Sequence, residues 1–136
     1  MSVHASKKME HPYRRQLTNK KIDRLLKVMK QFRLYDREVP IQVICTLLYI
    51  GSRNTCHKQA LEEDLNFTSA SSSRNTDWLS KEHRLKLPSG ERKAGLDLIR
   101  KEVDATRRQR LTLTKKGEDL MKQIEEILYD ESSDVG

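Results

Sequence analysis

Apolar side chains recur at intervals of three and four residues in two segments near the ends of the chain, a spacing that gives an α-helix one apolar face. The first set is Ile22, Leu25, Leu26, Met29, Phe32 and, less regularly, Leu34. The second set is Leu120, Met121, Ile124, Ile127 and Leu128. We expect the first helix to begin after Thr18 or Asn19 and to end near Tyr35. Thr114 is suited to capping the second helix, because its hydroxyl can accept a hydrogen bond from the first turn.

The pattern predicts three more helices between these two. The run "IQVICTLLYIG" after Pro40 is largely apolar, which indicates a central buried helix that ends at Gly51 and buries Cys45. In the next helix, "HKQALEEDLNF", the inward positions are Ala60, Leu61, Leu65 and Phe67. The fourth helix, "TSASSSRNTDWLSKEHRLKL", takes Thr68 as its N-cap. Its apolar contacts are Trp78, Leu79 and Leu85.

A β-hairpin is predicted before the last helix. The segment "PSGERKAG" has the composition of a loop, and "GLDLIRKEV" then alternates apolar and charged residues. One slip in the alternation, between Leu98 and Ile99, indicates a bulge or a bend. "DATR" is the turn, and "RQRLTLT" is the return strand, with Leu111 and Leu113 on one face. The fold class is therefore mainly α with a small β-hairpin.

The charge of the chain points to an anionic partner. The net charge is +7 and the isoelectric point is about 9.5, as expected of a protein that binds DNA, RNA or an acidic membrane surface. The alternative is a basic surface without such a partner. Residues 1–37 hold 11 Lys or Arg against 3 acids, whereas the chain from 111 onward holds 3 bases against 7 acids. The positive charge is thus concentrated and not spread evenly.

The length of 136 residues predicts one domain, and 35% apolar residues predict a thin core that dimerisation would supplement. We expect a basic flexible arm at 1–16, a domain at 17–130 and an acidic tail at 131–136. Lys7, Lys8, Arg14 and Arg15 of the arm either add phosphate contacts or belong to an ordinary disordered tail.

Little in the sequence suggests catalysis. The four histidines, at positions 4, 11, 57 and 83, lack the spacing of a metal site, and no Gly-rich phosphate loop or nucleophile motif is present. We expect no enzyme activity, no cofactor and no metal. Two cysteines without a leader, and no apolar run that could span a bilayer, predict a cytoplasmic protein. Cys56 beside His57 is either an ordinary residue or a thiol sensor, because an imidazolium lowers a thiol pKa.

The segment "TSASSSRNT" is unusual for a helix, because Ser and Thr are not strong helix formers. Small hydroxyl side chains let a helix approach a DNA groove and bond to phosphates or base edges. Arg74 is long enough for a bidentate pair with guanine, and Asn75 suits adenine or a phosphate. The candidate DNA-binding residues here are Thr68, Ser69, Ser71, Ser72, Ser73, Arg74 and Asn75. The alternative is a Ser-rich linker, or a helix whose serines only cap and face solvent.

Three arginines crowd the hairpin tip. We expect Arg107 to enter a narrow minor groove, Arg108 to bind phosphate and Arg110 to brace the hairpin. Asp104 is placed to hold one of these arginines through a charge-assisted pair, and Arg110 is an alternative partner for it. A solvated turn without a partner is the other reading.

The stretches "LEEDLNFTSASSSRNTDWL" and "GLDLIRKEVDATRRQRLTLTKKGEDLMKQIEEIL" resemble the MarR family of winged helix-turn-helix transcription regulators, over about Leu17 to Leu128. The resemblance implies that the hairpin is the wing and that helices 17–35 and 114–128 form a homodimer. The chain departs from the family in two places. Its segment from Leu79 to Gly95 is longer by roughly ten residues, so either the recognition helix extends past Arg84 or a loop is inserted before the wing. The recognition helix is also polar where an apolar residue is common, at Ser72, Asn75 and Thr76.

These features lead to one expected function and one rival. We expect sequence-specific binding of double-stranded DNA by a homodimer at an inverted repeat, in a transcriptional regulator that represses by occlusion. The rival is a winged helix that serves as a protein-interaction module on RNA polymerase or another transcription or replication complex. The family often binds a small-molecule effector, but the sequence identifies none.

Overall fold

The computed structural model describes residues 15–130, with backbone only for residues 82–86, 92 and 93. The predicted arm up to Arg14, the tail at 131–136 and the side chain of Leu85 lie outside the described residues. The helices are α1 Lys20–Tyr35, α2 Ile41–Arg53, α3 Lys58–Asp64, α4 Ser69–Leu79 and α5 Lys115–Leu128. The strands are β1 Thr55–His57, β2 Glu82–Lys86, β3 Arg92–Ala94, β4 Ile99–Val103 and β5 Gln109–Leu113.

The described chain is mainly helical, with a small antiparallel sheet of three strands in the order β1-β5-β4. This confirms the predicted class. Strands β2 and β3 form a separate antiparallel pair. The hairpin β4–β5 is regular, since every residue from Ile99 to Val103 faces one residue of the stretch from Leu113 back to Gln109.

Three predicted helix starts are confirmed. The side chains of Asn19, Thr68 and Thr114 each accept a hydrogen bond from the backbone N–H three residues further on, at 3.1, 3.0 and 3.0 Å. Thr114 also donates its hydroxyl to the carbonyl of Asp97 at 2.8 Å, which fixes the start of α5 beside the entry to β4. Gly117 in the first turn of α5 lies against the Leu98 carbonyl, where a Cβ would come within 2.1 Å of the oxygen.

Helix α2 is the predicted central helix of the core. Its fully buried side chains include Leu47 and Ile50, and it packs against α4, α5, β1 and β5. Two details of the prediction were wrong. Cys45 is exposed, because it lies on the face of α2 that points away from the core. The helix also continues through Gly51 to Arg53, and its C-cap residue is Asn54, whose φ is 67°.

The apolar positions of α1 do not form a single core-facing stripe as expected. Val28 and Phe32 are buried, and Met29 packs beside them, whereas Ile22 is 62% exposed. Leu25, Leu26 and Leu34 are exposed as well. Helix α1 therefore packs on α5 with a face rotated from the predicted one, and its first half presents apolar side chains to solvent.

The chain between Leu79 and Gly95 contains a second hairpin. Of the two alternatives for this segment, the helix extension past Arg84 is wrong, because α4 ends at Leu79. The alternative, an insertion before β4, is present, and its residues form β2 and β3. The base of this insertion is closed by hydrogen bonds from Gly95 N to the Lys81 carbonyl (2.9 Å) and from Leu98 N to the Leu79 carbonyl (2.8 Å). The insertion therefore leaves the path from α4 to β4 intact.

Two further features explain local irregularities. The slip in alternation is a bend: Asp97 has φ of 57°, and Leu98 and Ile99 after it are both buried. Strand β1 was not predicted. It pairs with β5, with Cys56 opposite Leu111, and so joins the segment before α3 to the hairpin.

Candidate nucleic-acid interface

Helix α4 carries polar residues on two different faces. Ser72 and Thr76 are fully buried and Asn75 is 7% exposed, so these three positions pack inward in line with Leu79. The Asn75 amide donates to the Gln42 side chain of α2 at 3.2 Å. Ser72 and Asn75 were predicted to contact DNA, and their burial removes them from the candidate surface. They occupy the positions where an apolar residue had been expected.

The outer face of α4 keeps the remaining predicted residues. Thr68, Ser69 and Arg74 are exposed, while Ser71 and Ser73 are partly buried. The Arg74 guanidinium donates to the Ser71 hydroxyl at 3.1 Å, so the arginine lies along the first turn of the helix. The result is a surface of small hydroxyls and one cation, which a negatively charged groove could approach closely.

The tip of the β4–β5 hairpin is a three-residue loop. Arg107 N donates to the Asp104 carbonyl at 2.9 Å, and Asp104 N donates to the Arg108 carbonyl at 3.0 Å. Arg107 has φ of 64°, the left-handed conformation that usually selects glycine at this place in a hairpin. A non-glycine residue there costs on the order of 1–2 kcal/mol. The exposed Arg107 side chain forms no hydrogen bond or ion pair with the part of the chain that the structure describes.

Asp104 organises this loop. Its Oδ1 accepts hydrogen bonds from the Thr106 hydroxyl (2.5 Å) and from the backbone N–H groups of Thr106 (2.9 Å) and Arg108 (3.0 Å). Its Oδ2 lies 2.5 Å from His57 Nε2. The expectation that Asp104 holds an arginine side chain was therefore wrong, because the turn's own donors and His57 take both oxygens. The hydrogen bonds from Thr106 and then His57 hold the pKa of Asp104 well below its usual range.

The other two hairpin arginines have partners on the protein. Arg110 Nη2 lies 3.3 Å from Glu102 Oε2, and the two residues face each other across the strands. Within the hairpin, Arg110 therefore contacts Glu102 and not Asp104, and its bracing role stays a prediction. Arg108 Nη2 donates to the Gln59 side chain at 3.1 Å and remains exposed.

Three consecutive residues that were not predicted as part of the site connect its two halves. His57 bonds to Asp104 at the hairpin tip, and Gln59 bonds to Arg108. Lys58 Nζ donates to the Ser73 hydroxyl of α4 at 2.6 Å. The start of α3 therefore lies between the outer face of α4 and the hairpin. The only sequence signal for these residues is a polar run at the start of a helix, which does not identify a contact.

A large open groove lies elsewhere, between α4, β4 and the start of α5, with a volume of about 1010 Å³. Charged and hydroxyl side chains dominate its lining, and Lys101 forms an ion pair with Asp77 within it. It lacks the aromatic walls that an aromatic effector would need. The thiol-sensor hypothesis also loses support, because burial raises the pKa of Cys56.

Comparison with known proteins identifies no family. No protein-family model, no curated protein and no solved structure matches this chain. Among the side chains that the structure describes, no three of His, Cys, Asp or Glu are grouped as metal ligands. None of the helices described has both the length and the apolar character that crossing a bilayer requires.

Asp104→Asn should lower the free energy of unfolding relative to the native chain, by an amount that depends on pH. Because the folded-state pKa is depressed, the charge stabilises the fold fully above pH 3.8, the usual carboxyl value, and less as pH falls below it. Urea unfolding at several pH values should show the variant less stable than the native chain at pH 7, with the difference narrowing towards pH 2. A difference that stays constant from pH 7 to pH 2 would contradict this origin.

Proposed function

We propose that the chain is a winged helix-turn-helix protein of the MarR type that binds double-stranded DNA and represses transcription by occlusion. The element order supports this proposal. Four residues separate α3 from α4, the length of a helix-turn-helix connection, and the β4–β5 hairpin follows as the wing. The insertion β2–β3 leaves this order intact.

Arg107 is the observation that carries the proposal. Its left-handed backbone favours glycine, and its side chain contributes no described contact in return. An arginine with this unfavourable backbone conformation is explained if its side chain binds another molecule. A guanidinium at the tip of a projecting hairpin suits the focused negative potential of a narrow minor groove.

The outer face of α4 and the tip of the β4–β5 hairpin would contact different parts of the DNA. The outer face of α4 enters the major groove, where Arg74 pairs with guanine and the Ser69 and Ser71 hydroxyls bond to phosphates or base edges. Arg107 enters the adjacent minor groove, and Arg108 contacts a phosphate beside it. Lys58 lies between the two regions, because it bonds to Ser73 from the start of α3.

Homodimerisation through α1 and α5 is part of the proposal. Six of the exposed apolar side chains lie in or beside the first half of α1 and at the end of α5: Leu17, Ile22, Leu25, Leu26, Leu128 and Tyr129. Arg24 brings these two regions together by donating to the carbonyls of Leu128 (3.2 Å) and Asp130 (3.0 Å). A second copy would cover this apolar surface, and two-fold symmetry would place two α4 helices about one turn of DNA apart.

A protein-interaction module on a transcription or replication complex is the second candidate. It is favoured by the exposed apolar face of α2, where Ile41, Cys45 and Leu48 follow helical spacing. The salt dependence of binding distinguishes the two functions. DNA affinity should fall with salt at a log–log slope of about −0.9 per phosphate contact, whereas an apolar protein contact should depend weakly on salt.

Arg107→Gly should raise stability and weaken DNA binding in the same molecule. Glycine removes a left-handed penalty on the order of 1–2 kcal/mol, while the lost guanidinium removes a groove contact. Thermal unfolding and fluorescence anisotropy on a labelled duplex measure the two effects. Arg107→Lys is the matched control, which keeps both the charge and the backbone penalty. Unchanged affinity in the glycine variant would count against the minor-groove role.

Arg74→Ala and Arg108→Ala should differ in kind. Loss of a bidentate base contact should cost about 1–3 kcal/mol and relax base preference at one position, whereas loss of a phosphate contact should weaken binding to all duplexes alike. Affinities for a set of single-base operator variants distinguish the two patterns. Equal and small effects from both substitutions would refute this assignment.

Leu25→Glu should convert the dimer to a monomer, because a carboxylate on the apolar surface of α1 would be buried without a partner. Sedimentation equilibrium measures the mass directly. Gln123→Glu adds the same charge on the exposed face of α5 and should leave the dimer intact. A native chain that sediments as a monomer at micromolar concentration would rule out this interface.

A further inference from the structure

His57 is the link between the wing tip and the body of the protein. It ends β1 and lies directly before α3, and its Nε2 is 2.5 Å from Asp104 Oδ2. The side chains are 35% and 20% exposed, so the contact is partly screened from water. The other oxygen of the same carboxylate organises the loop that carries Arg107. One side chain therefore connects the body to the loop that orients the wing arginine.

The wing tip needs such a link because it extends beyond the third strand. Strand β1 ends where His57 faces Arg110, so Gln109 and the loop after Val103 belong to a two-stranded ribbon. Isolated two-stranded ribbons twist strongly and are marginally stable. Among the described residues, side-chain hydrogen bonds from the body reach the tip segment 104–108 at two places, His57 to Asp104 and Gln59 to Arg108.

We propose that His57 is a positioning residue for DNA binding, which holds the wing tip through Asp104 so that Arg107 meets the minor groove in a fixed orientation. This inference rests on the proposed function. The imidazole can donate Nε2–H to the Asp104 carboxylate in its neutral form and in its protonated form. The proposed role therefore requires only that the two side chains stay within hydrogen-bonding distance. The charged side chains that line the groove beside His57 are Lys58, Glu62 and Arg108. The residue hydrogen-bonded to the His57 ring is Asp104.

A double-mutant cycle tests this role. His57→Ala should weaken binding to a short duplex roughly three- to tenfold, the usual range for one hydrogen bond, because the tip must then be ordered on binding. In an Arg107→Ala background the same substitution should change affinity less than about twofold, since the side chain that His57 positions is gone. Equal losses in both backgrounds would overturn the proposal and leave His57 a general structural residue.

His57→Gln is a second variant that keeps the test valid if His57→Ala folds poorly, because the glutamine amide N–H can reach towards the Asp104 carboxylate. It should recover part of the affinity for duplex DNA that His57→Ala loses. An affinity no higher than that of the alanine variant would count against the link.

Amide hydrogen exchange gives a readout without DNA. Exchange at Arg108, whose N–H bonds to Asp104, should accelerate in His57→Ala while exchange in α5 stays unchanged. Unchanged Arg108 exchange refutes the link between His57 and the tip, whether or not the chain binds DNA. A native chain that binds no duplex refutes the proposed function, and with it the role of this link in DNA binding.

Discussion

The burial of α2 is the constraint on which the rest of the structure depends. Leu47 and Ile50 are removed from solvent entirely, and α4, α5 and the sheet pack around this helix. That packing fixes which face of α4 turns inward, because Asn75 bonds to Gln42 of α2. The outward face is then set by the helical period, and it carries Ser69 and Arg74. The surface available to a partner is thus a consequence of the core.

The tip of the β4–β5 hairpin differs from the core, because one of its residues has an unfavourable backbone conformation. Arg107 occupies a backbone conformation that favours glycine, and the Asp104 carboxylate compensates by binding three donors of the turn and His57. Strain that is held in place by such a network is typical of functional sites. The same network ties the tip to α3, and Lys58 ties α3 to α4. The two regions that would enter neighbouring grooves are therefore connected through three consecutive residues.

The parts of the fold that depend on local chemistry were predictable from sequence. The caps at Asn19, Thr68 and Thr114 were predictable because each side chain satisfies a backbone donor three residues away. The inward direction of Ser72 could also have been found, since it lies seven residues before Leu79 on the same helical face. Strand β1 could not be found, because three residues carry no period and the partner strand lies more than fifty residues further along the chain. The exposed half of α1 was equally hidden, since periodicity defines an apolar face and not what covers it.

Selection of random duplex DNA on the purified protein at near-physiological salt tests the central claim most directly. A two-fold dimer that inserts α4 into successive major grooves should enrich an inverted repeat with half-sites about ten base pairs apart. Weak binding that salt abolishes, with no enriched sequence, would contradict a sequence-specific regulator and favour the protein-interaction module.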